Sequence, residues 1–139
     1  MDAFVLDVSA CMPWCCDDET TPASEEMLEW AKDGSELHVP SIWPWEILNA
    51  VGVAIRRRRI TADRGKEFLE QLATLNFKID RGPRVSDFPD LYDLANKYQL
   101  TAYDAACLDL AKRLLLPLAT RDDDLKRAAQ GEAIEVLSQ

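Results

Sequence analysis

Ala3-Phe4-Val5-Leu6-Asp7-Val8 is the stretch on which the fold turns. It is a short apolar run with a single acid near its end and no polar alternation. A strand covered on both faces has that composition, and such strands belong to parallel sheets. Working outward, Leu37-His38-Val39-Pro40 reads as a brief second strand and Phe77–Ile79 as a third. Leu116–Thr120 and Ala133–Leu137 read as the last two. Helices fill the intervals. Ser24–Asp33 carries Met27, Leu28, Trp30 and Ala31 at helical spacing, and Gly34 stops it. Ser41 begins a helix that tolerates Pro44 in its opening turn and runs to about Arg58. Thr61 caps another, with Phe68, Leu69, Leu72 and Leu75 on its apolar side. Further helices span Asp90–Tyr98, Ala102–Leu115 and Asp123–Gln130, the last ending at Gly131, while Arg81–Pro89 with its Gly and two Pro is a loop. Alternating strands and helices predict an α/β protein, a three-layer α/β/α sandwich with a mainly parallel central sheet, as one domain over residues 1–139.

The composition narrows what such a domain can do. Hydrophobic residues make up 47% and charged residues 29%, which excludes intrinsic disorder as the main state. With 25 acids against 16 bases the net charge is −9, which argues against gripping nucleic acid by bulk positive charge. The start lacks the basic and apolar regions of a signal peptide, and no apolar run approaches the roughly 20 residues of a membrane span, so a cytoplasmic protein away from membranes is expected. Of the four cysteines, Cys11 and Cys15 would share a face if they lay on one helix, which leaves a zinc site open. The simpler expectation is four reduced thiols serving as small hydrophobes.

In a parallel α/β sheet the functional crevice lies beyond the carboxyl ends of the strands. Four acids stand there or early in a helix: Asp7 in the first strand region, Glu46 after the second, Asp104 in the first turn of the Ala102 helix, and Asp122 after Thr120. Any one of them has an ordinary explanation as a helix cap or a dipole partner. Their neighbours weaken it. Asp7 follows Phe4-Val5-Leu6, Glu46 is flanked by Trp43, Pro44, Trp45, Ile47 and Leu48, and neither has a Lys or Arg within several residues. Carboxylates gathered among apolar groups without basic partners repel one another unless a cation joins them. Oxygen-only ligands select hard cations such as Mg²⁺ or Mn²⁺.

Four segments then resemble the ordered motifs of PIN-domain ribonucleases, most closely the VapC toxins of bacterial type II toxin–antitoxin pairs. They are Val5-Leu6-Asp7-Val8-Ser9-Ala10, Val39-Pro40-Ser41-Ile42-Trp43-Pro44-Trp45-Glu46-Ile47-Leu48-Asn49-Ala50, Leu100-Thr101-Ala102-Tyr103-Asp104-Ala105-Ala106 and Leu116-Pro117-Leu118-Ala119-Thr120-Arg121-Asp122. One Asp-x-Ser would be weak; four motifs in order along nearly the whole chain are a strong signal. The resemblance implies a PIN-like fold and a Mg²⁺- or Mn²⁺-dependent endoribonuclease. Asp7 and Asp104 would be central metal ligands and catalytic acids, with Glu46 and Asp122 completing the set. Ser9, Thr120 and Asn49 match the polar residues that support those acids. The fourth motif departs from the pattern in its run Asp122-Asp123-Asp124: Asp122 is the best match, Asp124 a substitute, and Asp123 a helix-start acid. Asp109 lies about 140° round the helix from Asp104 and reads as a supporting or surface residue.

The resemblance further implies RNA substrates such as tRNA or ribosomal RNA, products with 5′-phosphate and 3′-hydroxyl ends, a homodimer, and a cognate antitoxin laid across the site. No Ser, Cys or His nucleophile is required, and the single His38 reads as structural. Arg56-Arg57-Arg58-Arg59 is either a cationic helix terminus or a contact for RNA or antitoxin. Consecutive helical residues fan out by about 100°, so at most two of the four face one ligand. Trp43 and Trp45 are expected in a core or interface, with base stacking the competing role. The alternative function is a catalytically silent PIN-like module that binds RNA or protein; its mark would be a missing acid, and none of the four is missing. A phosphatase or phospho-acceptor domain using Asp7 would want Asp-x-Asp and a late Lys, and the chain has Asp7-Val8-Ser9.

Overall fold

Phe4 and Leu6 pack into one apolar core while Val5 between them packs into another. This alternation across a doubly buried strand sets up the three layers. The computed structural model describes residues 1–137. The strands are β1 (Ala3–Leu6), β2 (Glu36–Val39), β3 (Phe77–Ile79), β4 (Leu118–Ala119) and β5 (Val136–Leu137). They pair in the order β3-β2-β1-β4-β5, and every pairing is parallel. β1 is central, with Phe4 opposite Leu37 and Leu6 opposite Ala119. The helices are α1 (Val8–Cys11), α2 (Pro22–Lys32), α3 (Trp43–Arg56), α4 (Ala62–Leu72), α5 (Phe88–Tyr98), α6 (Ala102–Leu114) and α7 (Asp123–Gly131). No helix among the described residues is long and apolar enough to cross a membrane.

One core gathers Phe4, Leu6, Leu37 and Val39 with Met27 of α2, Trp43, Ile47 and Val51 of α3, and Phe68 of α4. The other gathers Val5 and Leu118 with Leu108 and Leu110 of α6 and Leu125 and Ala128 of α7. α3 and α4 approach closely because of Gly65: a methyl group there would stand 2.8 Å from Ile55 Cδ1. The chain extends the sheet from β1 through β2 to β3 on one side, then returns to build β4 and β5 on the other. The order therefore reverses at β1, the position where open α/β sheets leave a crevice.

Several boundaries differ from the sequence reading for local reasons. β1 stops at Leu6, because Asp7 is already the N-cap of α1. α2 starts two residues early: Thr21 and Ser24 form a reciprocal cap, and Pro22 suits the first helical position. The same property lets Pro89 stand inside α5, so only the first part of Arg81–Pro89 is loop. α3 runs from Trp43 to Arg56, inside the range Ser41–Arg58. β4 shrinks because Leu115 adopts φ 55° to end α6 and Pro117 has no N–H to pair; its carbonyl still accepts from Val5 N at 2.9 Å. β5 shrinks because Ala133 (φ 56°) and Ile134 finish α7, the latter through Ile134 N to Ala129 O at 2.9 Å. Short α1 and the 3-10 turns Met12–Trp14 and Asp17–Glu19 had no signature in the sequence pattern. Ala10 through Cys16 are all buried there, which erases the polar face that marks an amphipathic helix.

Candidate metal centre

Asp7 stands where β1 ends at the reversal of strand order. Its N–H donates to Ala119 O at 2.9 Å, which fixes the residue to the tip of β4. As the N-cap of α1 it makes no side-chain cap bond, so its carboxylate is free for other partners. Oδ2 accepts the Ser9 hydroxyl at 2.5 Å and the Thr120 hydroxyl at 2.8 Å. Ser9 Oγ accepts Arg121 N at 2.9 Å, and Thr120 Oγ1 accepts Asp122 N at 3.1 Å. Thr120 is completely buried. From α6, the Cys107 thiol points at Oδ1 across 3.9 Å. Asp7 is thus oriented by side chains from α1, α6 and the segment after β4, and that segment is bound to α1 by the same hydroxyls.

The other three acids converge from separate elements. Asp104 lies in the first turn of α6, where Thr101 Oγ1 caps its N–H at 3.1 Å. Burial, then the charges of Asp7 and Asp122, push its carboxyl up to about 6, against an opposing hydrogen bond from Thr101. Glu46, in the first turn of α3, is raised by burial and then by Asp7 and Asp104. Asp122 Oδ1 accepts from Leu125 N at 2.9 Å as the cap of α7, and its charge still reaches Asp104. No ion pair joins Asp7, Glu46, Asp104 or Asp122 to a Lys or Arg among the described residues. Half-buried oxygen donors whose charges raise the Asp104 and Glu46 carboxyls, and which lack a counter-cation, fit a hard divalent ion.

The neighbouring candidates sort differently. Asp124 is exposed and paired with Arg127, and its influence on Asp104 is the smallest of the acids there. Asp123 lies in the first turn of α7. Asp109 is held by Arg113 Nε at 2.8 Å. Asn49, one turn beyond Glu46, is exposed and makes no hydrogen bond to it. His38 lies in β2 with Nε2 3.6 Å from Glu36. All four thiols are free and buried; Cys11 ends α1 while Cys15 follows the next 3-10 turn, so the two do not share a helix face, and no zinc group forms on them among the described residues. Burial raises the Cys11 and Cys107 thiols well above their usual range. The one group of described residues whose ligating atoms all lie within 4.8 Å is Cys16, Asp18 and Glu19, not the four acids. There the carboxylates already have guanidinium partners, Arg59 on both and Arg121 on Glu19.

Arg121 and Glu19 were not singled out by the sequence, although Arg121 stands inside the fourth motif. They line an open cleft of about 570 Å³ with Ser9, Asp122, Arg57 and Arg59, whose floor is Ala50, Val53 and Ala54 of α3. Of the four acids Asp122 lines the cleft, together with Ser9, which bonds Asp7. α3 ends at Arg56 and Arg58 takes φ 58°, so the arginine run breaks into a turn and only Arg57 and Arg59 reach the cleft. The tryptophans also divide. Trp43 is buried against Phe77 with ring centres 5.0 Å apart, while Trp45 is 71% exposed beside Glu46.

A parallel sheet with its acids at the strand reversal defines the class, and the family follows from it. Residues 4–131 match the PIN domain, and the chain belongs to that family. Among solved structures it is similar to PAE2754 from Pyrobaculum aerophilum, with 21% identity and a TM-score of 0.72 over 97% of this chain and 89% of that one. It is similar to VapBC2 from Rickettsia felis, determined bound to a DNA fragment from their promoter, with 12% identity and a TM-score of 0.66 over 96% of each chain. It is also similar to FitAcB from Neisseria gonorrhoeae, with 16% identity and a TM-score of 0.61 over 97% of this chain and 96% of that one. No curated protein matches significantly in sequence.

Proposed function

We propose that this protein is a Mg²⁺- or Mn²⁺-dependent endoribonuclease, the toxin of a type II toxin–antitoxin pair, working as a homodimer and restrained by a cognate antitoxin. The observation that carries the chemistry is the unpaired acid centre, in which Asp104 is pushed up to about 6 by burial and by Asp7 and Asp122. The four ordered motifs resemble VapC toxins, and the likeness of fold to VapBC2 agrees with that reading.

Asp7, Glu46, Asp104 and Asp122 would hold the metal. A divalent ion bound there supplies a water of lowered pKa and offsets charge developing on the phosphoryl oxygens. The remaining work falls to the chain. Ser9 and Thr120 hold Asp7 Oδ2 in one orientation, so the carboxylate does not have to reorganise when a ligand arrives. Asn49 and Asp124 keep supporting places by their match to the motifs alone, since Asn49 makes no bond to Glu46 and Asp124 is paired with Arg127. An ion held there would favour the ionised form of Asp104, whose carboxyl is otherwise pushed up to about 6, because a coordinated carboxylate must lose its proton.

Purified protein incubated with total RNA and Mn²⁺ should produce discrete fragments ending in 5′-phosphate and 3′-hydroxyl groups, and EDTA should stop the reaction. Cleavage that persists in EDTA, or that Asp7→Asn retains at the wild-type rate, overturns the proposal.

A further inference from the structure

Two guanidinium groups from distant parts of the chain end on a single carboxylate at the wall of the cleft. Arg59 Nη2 lies 3.1 Å from Glu19 Oε2, and Arg121 Nη1 lies 3.1 Å from Glu19 Oε1. Arg59 also reaches Asp18 at 3.2 Å. Each oxygen of Glu19 thus faces its own arginine, as the two non-bridging oxygens of a phosphodiester would. The position is tied to the acid centre. The backbone N–H of Arg121 donates to Ser9 Oγ, Ser9 donates to Asp7, and the next residue is Asp122. Ala50, Val53 and Ala54 of α3 line the same cleft, as do Ser9 and Asp122. Arg57 lines the same cleft and has no carboxylate partner among the described residues.

We propose that Arg59 and Arg121 form a subsite for a phosphate neighbouring the scissile one, and that Glu19 occupies this subsite until a strand displaces it. The inference rests on the nuclease reading above and names the part of the substrate that the cleft takes. Partly exposed ion pairs contribute little to stability, so exchanging Glu19 for a phosphate is an inexpensive step. The exchange also accounts for how a chain of net charge −9 keeps Arg59 and Arg121 occupied in the cleft when no strand is bound. A strand bound only at the arginines must compete with Glu19, whereas one seated at the acid centre as well presents its phosphate at high local concentration.

The test is the binding of a fluorescent single-stranded RNA 12-mer, read by anisotropy in EDTA over a range of salt. Glu19→Gln should tighten binding about tenfold, corresponding to about 1.4 kcal/mol. The dependence of log affinity on log salt should steepen by about 0.7–1.4, the contribution of one or two released phosphate contacts. Adding Arg59→Ala and Arg121→Ala to Glu19→Gln should abolish the gain. In the unaltered background that arginine pair of substitutions should weaken binding, a readout that survives if Glu19→Gln does not fold. Unchanged affinity and slope in a folded Glu19→Gln protein overturns the inference, as does a gain that persists without both arginines. A gain for an acidic peptide but not for RNA overturns it too, because the subsite would then serve a protein partner. Cleavage with Mn²⁺ separates the two proposals: tighter RNA binding by Glu19→Gln without cleavage by the unaltered protein leaves the subsite standing and defeats the nuclease reading.

Discussion

The two ends of α6 treat carboxylates in opposite ways. At the N-terminal end Asp104 sits half-buried near Asp7, Glu46 and Asp122, and is pushed up to about 6. At the C-terminal end Lys112 donates to Glu132 at 2.8 Å, Lys97 joins at 3.0 Å, and the Tyr98 hydroxyl donates as well. Those bonds, Lys112 first, hold Glu132 down to about 2. Arg113 beside Lys112 closes on Asp80 and Asp109 in the same way. The chain therefore has cations within reach of carboxylates and places them at the far end of the helix. A paired acid such as Glu132 fastens α6 to the end of α7. Unpaired acids at the other end leave a demand that a bound cation would meet.

The largest effect should come from removing one of the unpaired acids. Asp104→Asn and Asp7→Asn should each lower the rate of Mn²⁺-dependent RNA cleavage about a thousandfold, the loss of roughly 4 kcal/mol of transition-state stabilisation. Glu132→Gln should leave that rate within about twofold, since its bonds lie at the opposite end of α6. Equal losses for the two ends would remove the distinction between them. One step smaller are the groups that orient Asp7. Thr120→Val removes the 2.8 Å bond to Oδ2 and the acceptor for Asp122 N, and should weaken Mn²⁺ binding about 10–100-fold by titration calorimetry. Thr120→Ser keeps the hydroxyl and should restore most of the affinity.

What the sequence revealed follows the same division. Asp7, Glu46, Asp104 and Asp122 were legible because acids at strand ends and in first helical turns follow from chain order, and the structure brings all four to one end of the sheet. Strand order could be anticipated only as mainly parallel; the reversal at β1 depends on which side β4 joins, and no local pattern encodes that. α1 and the turn Met12–Trp14 were hidden because Ala10–Cys16 show no polar face, and the acidic turn Asp17–Glu19 is too short to show any periodicity. The partnership of Glu19 with Arg59 and Arg121 spans separate elements and shows no spacing in sequence. Asp124 read as a substitute for Asp122 along the chain; two residues on, about 200° round the helix, it pairs with Arg127 instead.

Stability should separate the two ends in the other direction. Glu132→Gln weakens a bonded hub and should cost about 1–2 kcal/mol in urea denaturation at pH 7, the scale of a charge-assisted hydrogen bond discounted for partial exposure. Tyr98→Phe, which removes one of the three donors, should cost less.

The smallest effect is the most discriminating, because its sign depends on pH. Asp104 has a folded pKa near 6, above the roughly 3.9 of an unfolded aspartate, so it favours the folded state most when protonated. That contribution is present below about pH 4 and is lost as pH rises through 6. Glu132, held near 2 against an ordinary value of about 4.3, contributes above that ordinary value and loses its contribution as pH falls toward 2. In EDTA the melting temperature should therefore pass through a maximum near about pH 4 and decline on both sides. Asp104→Asn should lift the alkaline side by about 1 kcal/mol at pH 8, after allowance for solvent screening, while Glu132→Gln should flatten the acid side. Mn²⁺ added at pH 8 should restore the alkaline side of the unaltered protein and do little for Asp104→Asn, since the ion stabilises only the form that binds it. A metal-free melting temperature that keeps rising to pH 8, with no gain from Asp104→Asn, would mean that the acids at the N-terminal end of α6 do not repel one another, and the contrast with Glu132 would then be one of position alone.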